Sequence, residues 1–308
     1  RWGTVTEQKV DDMQKQAAVV NNRQQKVALV TDSIADLPQE LIDDYQIQVI
    51  PLHLSVAGNN YLDKLTVTPD KFYSLLEEAE IAASSSQPSL KQVDNLFSFL
   101  SSHYQSILVI TVAQELSGTW NVVRQAANRY QEKDIDIELI NSKLNSGAQG
   151  LVVLEAAEMI ASGCPQEEIV EQIKELIGRT EIFVNVDTLE YMVRGGRLSR
   201  PAGWLGKLVN LKPIISLNDT GSGTIAAKAF SKRGVKKKIK KIVADRKQKT
   251  GIQRYCIVHA QASSQAETYA RELTELIGQP PAYMMEISPV VGLHSGPGST
   301  AVALIKEK

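Results

Sequence analysis

The chain has 308 residues, 43% of them hydrophobic and 22% charged, with 34 Lys or Arg against 35 Asp or Glu. That balance excludes a disordered chain, a collagen-like repeat and a disulfide-dense mini-domain, and it gives the molecule as a whole no polyelectrolyte character. Cys164 and Cys256 stand far apart with no metal-type spacing, no apolar run nears the roughly 18–20 residues that cross a bilayer, and no secretory signal is visible, so a reducing cytoplasm is the expected setting.

Residues 1–26 are polar and Gln-rich and read as a leader or linker. From Val27 short apolar runs alternate with amphipathic stretches. V-A-L-V-T-D (27–32) and Q-V-I-P-L-H-L (48–54) read as buried strands, as do S-I-L-V-I-T-V (106–112) and I-D-I-E-L-I (135–140). Thr68-Pro69 is a helix start, with Thr as cap and Pro at the first helical position. Helices are predicted around 90–101, 119–130, 147–161 and 166–177. This rhythm argues for a mostly parallel sheet with helices on its faces.

Past Gly178 the texture changes. A strand at 181–186 is followed by L-K-P-I-I-S-L (211–217) and T-I-A-A-K-A-F (224–230), joined by the hairpin-type connection N-D-T-G-S-G. A helix (231–248), a strand (254–258), a helix (264–277) and two strands (282–288, 300–306) complete the pattern. The expected division is a leader at 1–26, an N-terminal α/β domain at 27–178 and a C-terminal α/β domain with a mixed or antiparallel sheet at 179–308.

Charge is unevenly spread. Residues 228–249 carry eleven Lys or Arg against one Asp, a local net of +10, which leaves −11 for the rest of the chain. Val235, Ile239, Ile242 and Val243 fall on one face of this helix, so its outer face is cationic. A solvated face, a dock for an acidic partner and a nucleic-acid surface are the three readings; the last lacks aromatic stacking groups beside the charge.

Four loops combine small hydroxyl residues with turn residues where strands hand over to helices: T-D-S (31–33), S-S-S-Q-P-S (84–89), L-S-G-T-W-N (116–121) and G-L-H-S-G-P-G (292–298). In open α/β sheets ligands sit beyond the carboxyl ends of strands, and backbone N–H groups with Ser and Thr hydroxyls favour an anion such as a carboxylate or phosphate. Each loop also has a structural reading: Ser89 with Gln92 fits a capping box, Ser117 fits a helix cap, and Asp32 and Ser33 fit a strand-end turn. His294 stands out because a histidine among glycines has little core to satisfy it. No nucleophile elbow, no paired metal-ligand histidines and no P-loop occur. G-S-G-T-I-A (221–226) lies between two strands and so is not a dinucleotide fingerprint. The residues alone support an anion-binding α/β protein without evident catalytic machinery or cofactor.

From about Val27 onward the sequence resembles the DegV family, which includes the fatty-acid-binding subunit of bacterial fatty acid kinase. The resemblance rests on V-T-D-S-I-A-D-L-P (30–38), S-S-Q-P-S (85–89), L-S-G-T-W (116–120), T-L-E-Y-M-V-R-G-G-R-L-S (188–199), L-V-N-L-K-P-I-I (208–215) and G-L-H-S-G-P-G (292–298), in family order. It implies a two-domain α/β protein that buries one long-chain fatty acid between its domains and is not itself an enzyme. The carboxylate would be held by Ser85, where the family often has Thr, by Ser117 and by His294, with Arg197, Gly118 and Thr119 as further carry-overs. The family's Ser-Ser ahead of L-S-G-T is replaced here by T-V-A-Q-E, so no contact is carried over from those positions.

Burying about 15 methylenes at ~0.8 kcal/mol each is worth roughly 12 kcal/mol before association costs, against about 1.5–3 kcal/mol for a hydrogen bond to a carboxylate. On that arithmetic the tail supplies affinity and the polar groups fix orientation. Trp204, Leu205, Leu208 and Val209 are the expected tunnel residues. By the same resemblance the carboxylate is presented to an ATP-dependent fatty acid kinase, giving an acyl phosphate. The segment W-G-T-V-T-E-Q-K-V-D-D-M-Q-K-Q (2–16) is similar to part of that kinase's catalytic subunit, and with Arg1 first it suggests the C-terminal part of a kinase–DegV fusion, whose kinase the cationic helix would meet. Nucleic-acid or acidic-partner binding through residues 231–248, and a serine lipid hydrolase using Ser117 and His294, are the alternatives. No transmembrane segment is expected, and transient membrane contact is compatible with the reading.

Overall fold

The computed structural model describes residues 26–78, 83–130, 135–198 and 212–308. The leader up to residue 25 and the expected tunnel residues Trp204, Leu205, Leu208 and Val209 lie outside the described residues. The first half runs β1 (Val27–Asp32), α1 (Gln39–Asp44), β2 (Gln48–Ile50), β3 (His53–Val56), β4 (Asn59–Leu62), α2 (Pro69–Glu78), β5 (Ser84–Ser86), α3 (Leu90–Ser101), β6 (Ser106–Thr111), α4 (Thr119–Asn128), β7 (Asp136–Asn141), α5 (Ser146–Ala161) and α6 (Gln166–Arg179). The second runs β8 (Thr180–Asn185), α7 (Glu190–Arg194), β9 (Lys212–Leu217), β10 (Gly223–Ala229), α8 (Lys232–Thr250), β11 (Ile252–His259), α9 (Ser263–Ile277), β12 (Met284–Glu286), α10 (Pro289–Ser295) and β13 (Thr300–Lys306).

The architecture is α/β, with one parallel and one mixed sheet. Strands β2-β1-β6-β7 form the parallel sheet in that order. Ala28, Val30, Ile107 and Val109 point to one face, closed by Val93 and Phe97 of α3 and Val123 and Ala126 of α4. Leu29, Leu108 and Ile110 point to the other face, toward α5 and α6. The second sheet runs β10-β9-β8-β13-β11-β12, antiparallel except for the β11–β12 pair.

Helix α5 lies between the two sheets, and its sequence explains why. Apart from Gln149 and Glu155, S-G-A-Q-G-L-V-V-L-E-A-A is apolar or small, and every residue from Ser146 to Leu154 is buried. A helix without a polar stripe needs cover on all sides. Its glycines admit close neighbours: a Cβ at Gly150 would stand 2.7 Å from the Asp36 carbonyl oxygen and 2.4 Å from the Tyr283 hydroxyl.

Three expectations from the sequence are corrected. The segment 48–54 is two strands. Pro51 has no N–H to give a ladder, so β2 stays in the parallel sheet while β3 turns away into a three-stranded antiparallel sheet ordered β4-β3-β5. The turn between β3 and β4 is Ala57-Gly58, both with positive φ, as a two-residue hairpin requires. The S-S-S stretch, read as loop, forms β5, with Ser85 opposite Leu54. The strand expected at 282–288 ends at Glu286, because Ser288 and Pro289 open α10, where a loop was expected around His294.

Candidate functional site

A cavity of about 910 Å³, open solvent at its mouth included, lies between the parallel and mixed sheets. Both halves of the chain line it. Ile34, Leu52, Val112, Leu116 and the Ser85 and Ser117 hydroxyl residues come from the first half. The floor comes from alternate residues of the mixed sheet: Ile215, Val184, Ala301 and Val258 lie side by side across β9, β8, β13 and β11.

The polar side groups gather where the loops meet α10. Ser85 Oγ lies 2.9 Å from His294 Nε2, a contact between residues 209 positions apart. Burial and the nearby Arg197 guanidinium push the His294 imidazole down to about 4, so it is neutral at physiological pH. Its Nδ1 is buried with no hydrogen-bond partner among the described residues and packs against Gly195, where a Cβ would stand 2.2 Å from that nitrogen. Arg197 lines the cavity, donates from Nε to the Leu116 carbonyl at 3.1 Å and from Nη1 to the Gly195 carbonyl, and is held below its usual pKa by burial.

Ser117 lines the cavity as well. Its Oγ is 2.9 Å from Thr119 Oγ1 and accepts the Thr119 N–H just ahead of α4, whose N-cap is Gly118, while facing the cavity. Gly118 and Thr119 are not wall residues. Gly118 lies beneath the Gln87 side chain, and Thr119 is fully buried with its hydroxyl on Ser117. The structure therefore gathers Ser85, Ser117, Arg197 and His294 on one cavity and leaves Gly118 and Thr119 as their support.

The T-D-S loop serves the frame. Asp32 accepts from the N–H groups of Ile34 and Val112 and from Gln149, and burial raises its carboxyl to about 6. Ser33 Oγ accepts from Leu52 N–H. Ser89 caps α3, while Gln92, instead of closing the capping box, reaches the Pro51 carbonyl.

Sequence reasoning missed what holds His294 in place. Asp36 accepts from Ser288 N–H at 2.9 Å and from Ser146 Oγ at 2.6 Å, with Lys64 Nζ at 3.2 Å. Asp63 accepts from Val290 N–H at 3.2 Å. Two carboxylates of the first half thus fasten the start of α10, whose last turn carries His294. Burial raises both, Asp63 to about 6. The findable signal was Ser288-Pro289, the same cap-plus-proline start read correctly at Thr68-Pro69; Ser288 Oγ accepts from Val291 N–H. No group of side chains suited to hold a metal ion occurs among the described residues, and no described helix is long and apolar enough to cross a membrane.

A family model described as an uncharacterised protein of the DegV family matches residues 26–307. A DegV domain-containing protein of Clostridium acetobutylicum is 30% identical over 287 residues, covering 92% of this chain and 100% of that protein. Among solved structures, a fatty-acid-binding DegV family protein from Thermus thermophilus is 25% identical with a TM-score of 0.82, covering 91% of this chain and 99% of that one. DegV from Bacillus subtilis, a fatty acid binding protein, is 25% identical with a TM-score of 0.83, covering 92% and 100%. A fatty acid binding DegV family protein from Streptococcus agalactiae is 26% identical with a TM-score of 0.82, covering 92% and 99%.

Proposed function

The chain belongs to the DegV family, and on that premise we propose that it binds one long-chain fatty acid in the cavity between its sheets. The carboxylate sits with Ser85, Ser117 and His294, flanked by Arg197, and the hydrocarbon runs over the floor of the mixed sheet. The observation that carries this reading is the cavity's division of labour: one wall of apolar side chains and a group of hydroxyl, imidazole and guanidinium groups in the same space. Such a site gains affinity from tail burial and orientation from the polar end.

The chain then acts as a carrier in the cytoplasm that presents the carboxylate to an ATP-dependent fatty acid kinase, separate or fused, where the acyl phosphate forms. The Ser85–His294 contact brings the hydrolase alternative back with a different serine. Two features weigh against it. His294 at about 4 is a poor base at neutral pH, and among the described residues its Nδ1 has no carboxylate to orient it, whereas an activated serine needs both.

Mass spectrometry of the purified protein, native and then denatured with organic extraction, tests the reading. A stoichiometric fatty acid released on denaturation is the expected result. A protein that is empty and takes up no added fatty acid sinks it. Loss of occupancy in the combined Ser85→Ala and Ser117→Ala variant tests the polar end; unchanged occupancy and unchanged phosphorylation by the kinase would reject those residues.

A further inference from the structure

The central strand of the mixed sheet has an uneven side-chain pattern. Along β13 the residues facing the cavity side are Ala301, Ala303 and Ile305, while Val302 and Leu304 face the opposite layer. On the neighbouring strands the cavity-side partners of Ala301 are Val184 and Val258, and those of Ala303 are Ile182 and Cys256. Small side chains on one strand between larger ones on both neighbours make a trough one strand wide along β13.

The trough is open at one residue and shut at the next. Ala301, Val184, Val258 and Ile182 line the cavity; Ala303 and Cys256 do not. The first turn of α5 covers them. A Cβ at Gly147 would lie 2.7 Å from Cys256 Sγ, 3.2 Å from Val258 Cγ1 and 3.6 Å from Ala303 Cβ. The Gly147 carbonyl is held down from two sides, accepting from Cys256 Sγ at 3.4 Å and from the Tyr283 hydroxyl at 3.2 Å. Residues on one face of a strand are about 6.6 Å apart along it, so the stop falls one such step beyond Ala301.

We propose that Ala301 and the Gly147–Cys256–Ala303 contact determine the length of hydrocarbon the cavity accepts, Ala301 by leaving the trough open and the contact by ending it. This rests on the fatty-acid reading and names the residues that set its substrate range. An alanine at 301 leaves room for a methylene chain between Val184 and Val258; a larger side chain fills it. Removing the Cys256 sulfur takes away the group that meets Gly147 and lengthens the trough.

The test is competitive loading of the full chain from a mixture of saturated fatty acids spanning short to long chains, with the bound acids extracted and weighed by mass spectrometry. Ala301→Val adds two carbons to the trough and is expected to move the preferred acid down by roughly two methylenes, about fourfold in affinity for each methylene excluded. Cys256→Ala is expected to move it the other way, so a folding failure of one variant leaves the second as the test. Val302→Ala, on the opposite face of the same strand, is expected to lower stability and leave the profile unchanged. A wild type that loads fatty acid while both trough variants keep its profile overturns this inference alone. A wild type that takes up no fatty acid overturns the fatty-acid reading and the inference together.

Discussion

The two faces of the mixed sheet are built from the same strands and end differently. On one face Phe183, Ile214, Ile257, Val302 and Leu304 pack against Val235, Ile239 and Val243 of α8 and Ala266, Tyr269 and Leu273 of α9, and the layer is closed. On the other, Ile182, Val184, Ile215, Val258 and Ala301 line a cavity that α5 and α10 cover only in part. Strand alternation gives both faces apolar side chains, so composition does not separate them. What separates them is the cover. Helices α8 and α9 each give the sheet a full apolar stripe, whereas α5 is shared with the parallel sheet and α10 spans only seven residues. A sheet face whose helical cover is incomplete is where an apolar ligand gains most by burial.

The comparison is broken most directly by truncating one residue on each face. Leu304→Ala on the closed face should cost about 2–5 kcal/mol, because the surrounding layer cannot collapse into the void. Ile215→Ala on the open face should cost on the order of half of that, since it enlarges an existing space. Denaturant midpoints read the stability, and fatty-acid titration should show the reverse order, with Ile215→Ala weakening uptake and Leu304→Ala leaving it unchanged in the folded protein. Equal costs with equal binding would mean that the two faces are not functionally distinct.

The polar end makes a pH prediction. His294 titrates at about 4 in the fold against 6.5 when unfolded, so its contribution is complete above pH ~6.5 and is lost as pH falls through the folded value. Over that window the wild type should lose up to about 3 kcal/mol relative to His294→Asn. Asp32 and Asp63, both raised to about 6, act with the opposite sign, favouring the fold as they take up protons. They do so in both proteins, and the difference between the two pH–stability curves isolates His294. Parallel curves would place the imidazole in an open, solvated setting.

The fastening of α10 sharpens the same point. Asp63→Ala strands the buried Val290 N–H and should cost about 1–3 kcal/mol, while Asp63→Asn keeps an acceptor and should recover most of it. If α10 matters to the polar end, the alanine variant should also move the His294 ring resonances and the asparagine variant should not. Unmoved resonances in the alanine variant would show that His294 is held by its contacts with Ser85 and Gly195 alone.

Much of the fold was legible because its signals are local. The apolar runs at 27–32 and 106–112, the Ser89 cap of α3 and the one-sided apolar row of α8 all lie within a few residues of the elements they define. The turn of β3 away from β2 was hidden because a single proline divides what is otherwise one apolar run. Helix α10 was hidden by glycines that suggest a loop, although Gly292 is there for close packing, with the Tyr73 hydroxyl 2.2 Å from where its Cβ would be. The site is harder still. Nothing near Ser85 in sequence announces a histidine 209 residues away, and that pairing was approached only through motifs shared with a family. The floor residues carried no polar signal at all, and only strand register brings Ile215, Val184, Ala301 and Val258 into one row.

The smallest effect expected concerns the cationic helix. Lys236 and Lys240 both reach Glu272, and Arg246 pairs with Glu181, so part of the charge is spent on neighbouring elements of the same layer. Lys237 and Lys241 are exposed. Replacing both with Gln should change stability by no more than about 0.5 kcal/mol and leave fatty-acid affinity unchanged, because α8 covers the closed face and its buried row of Val235, Ile239 and Val243 lies between these lysines and the sheet. A calorimetric titration with a fatty acid decides it. A marked loss of affinity in that variant would mean that charge on the closed side reaches the ligand, and the functional separation of the two faces would fail at the point where the structure makes it clearest.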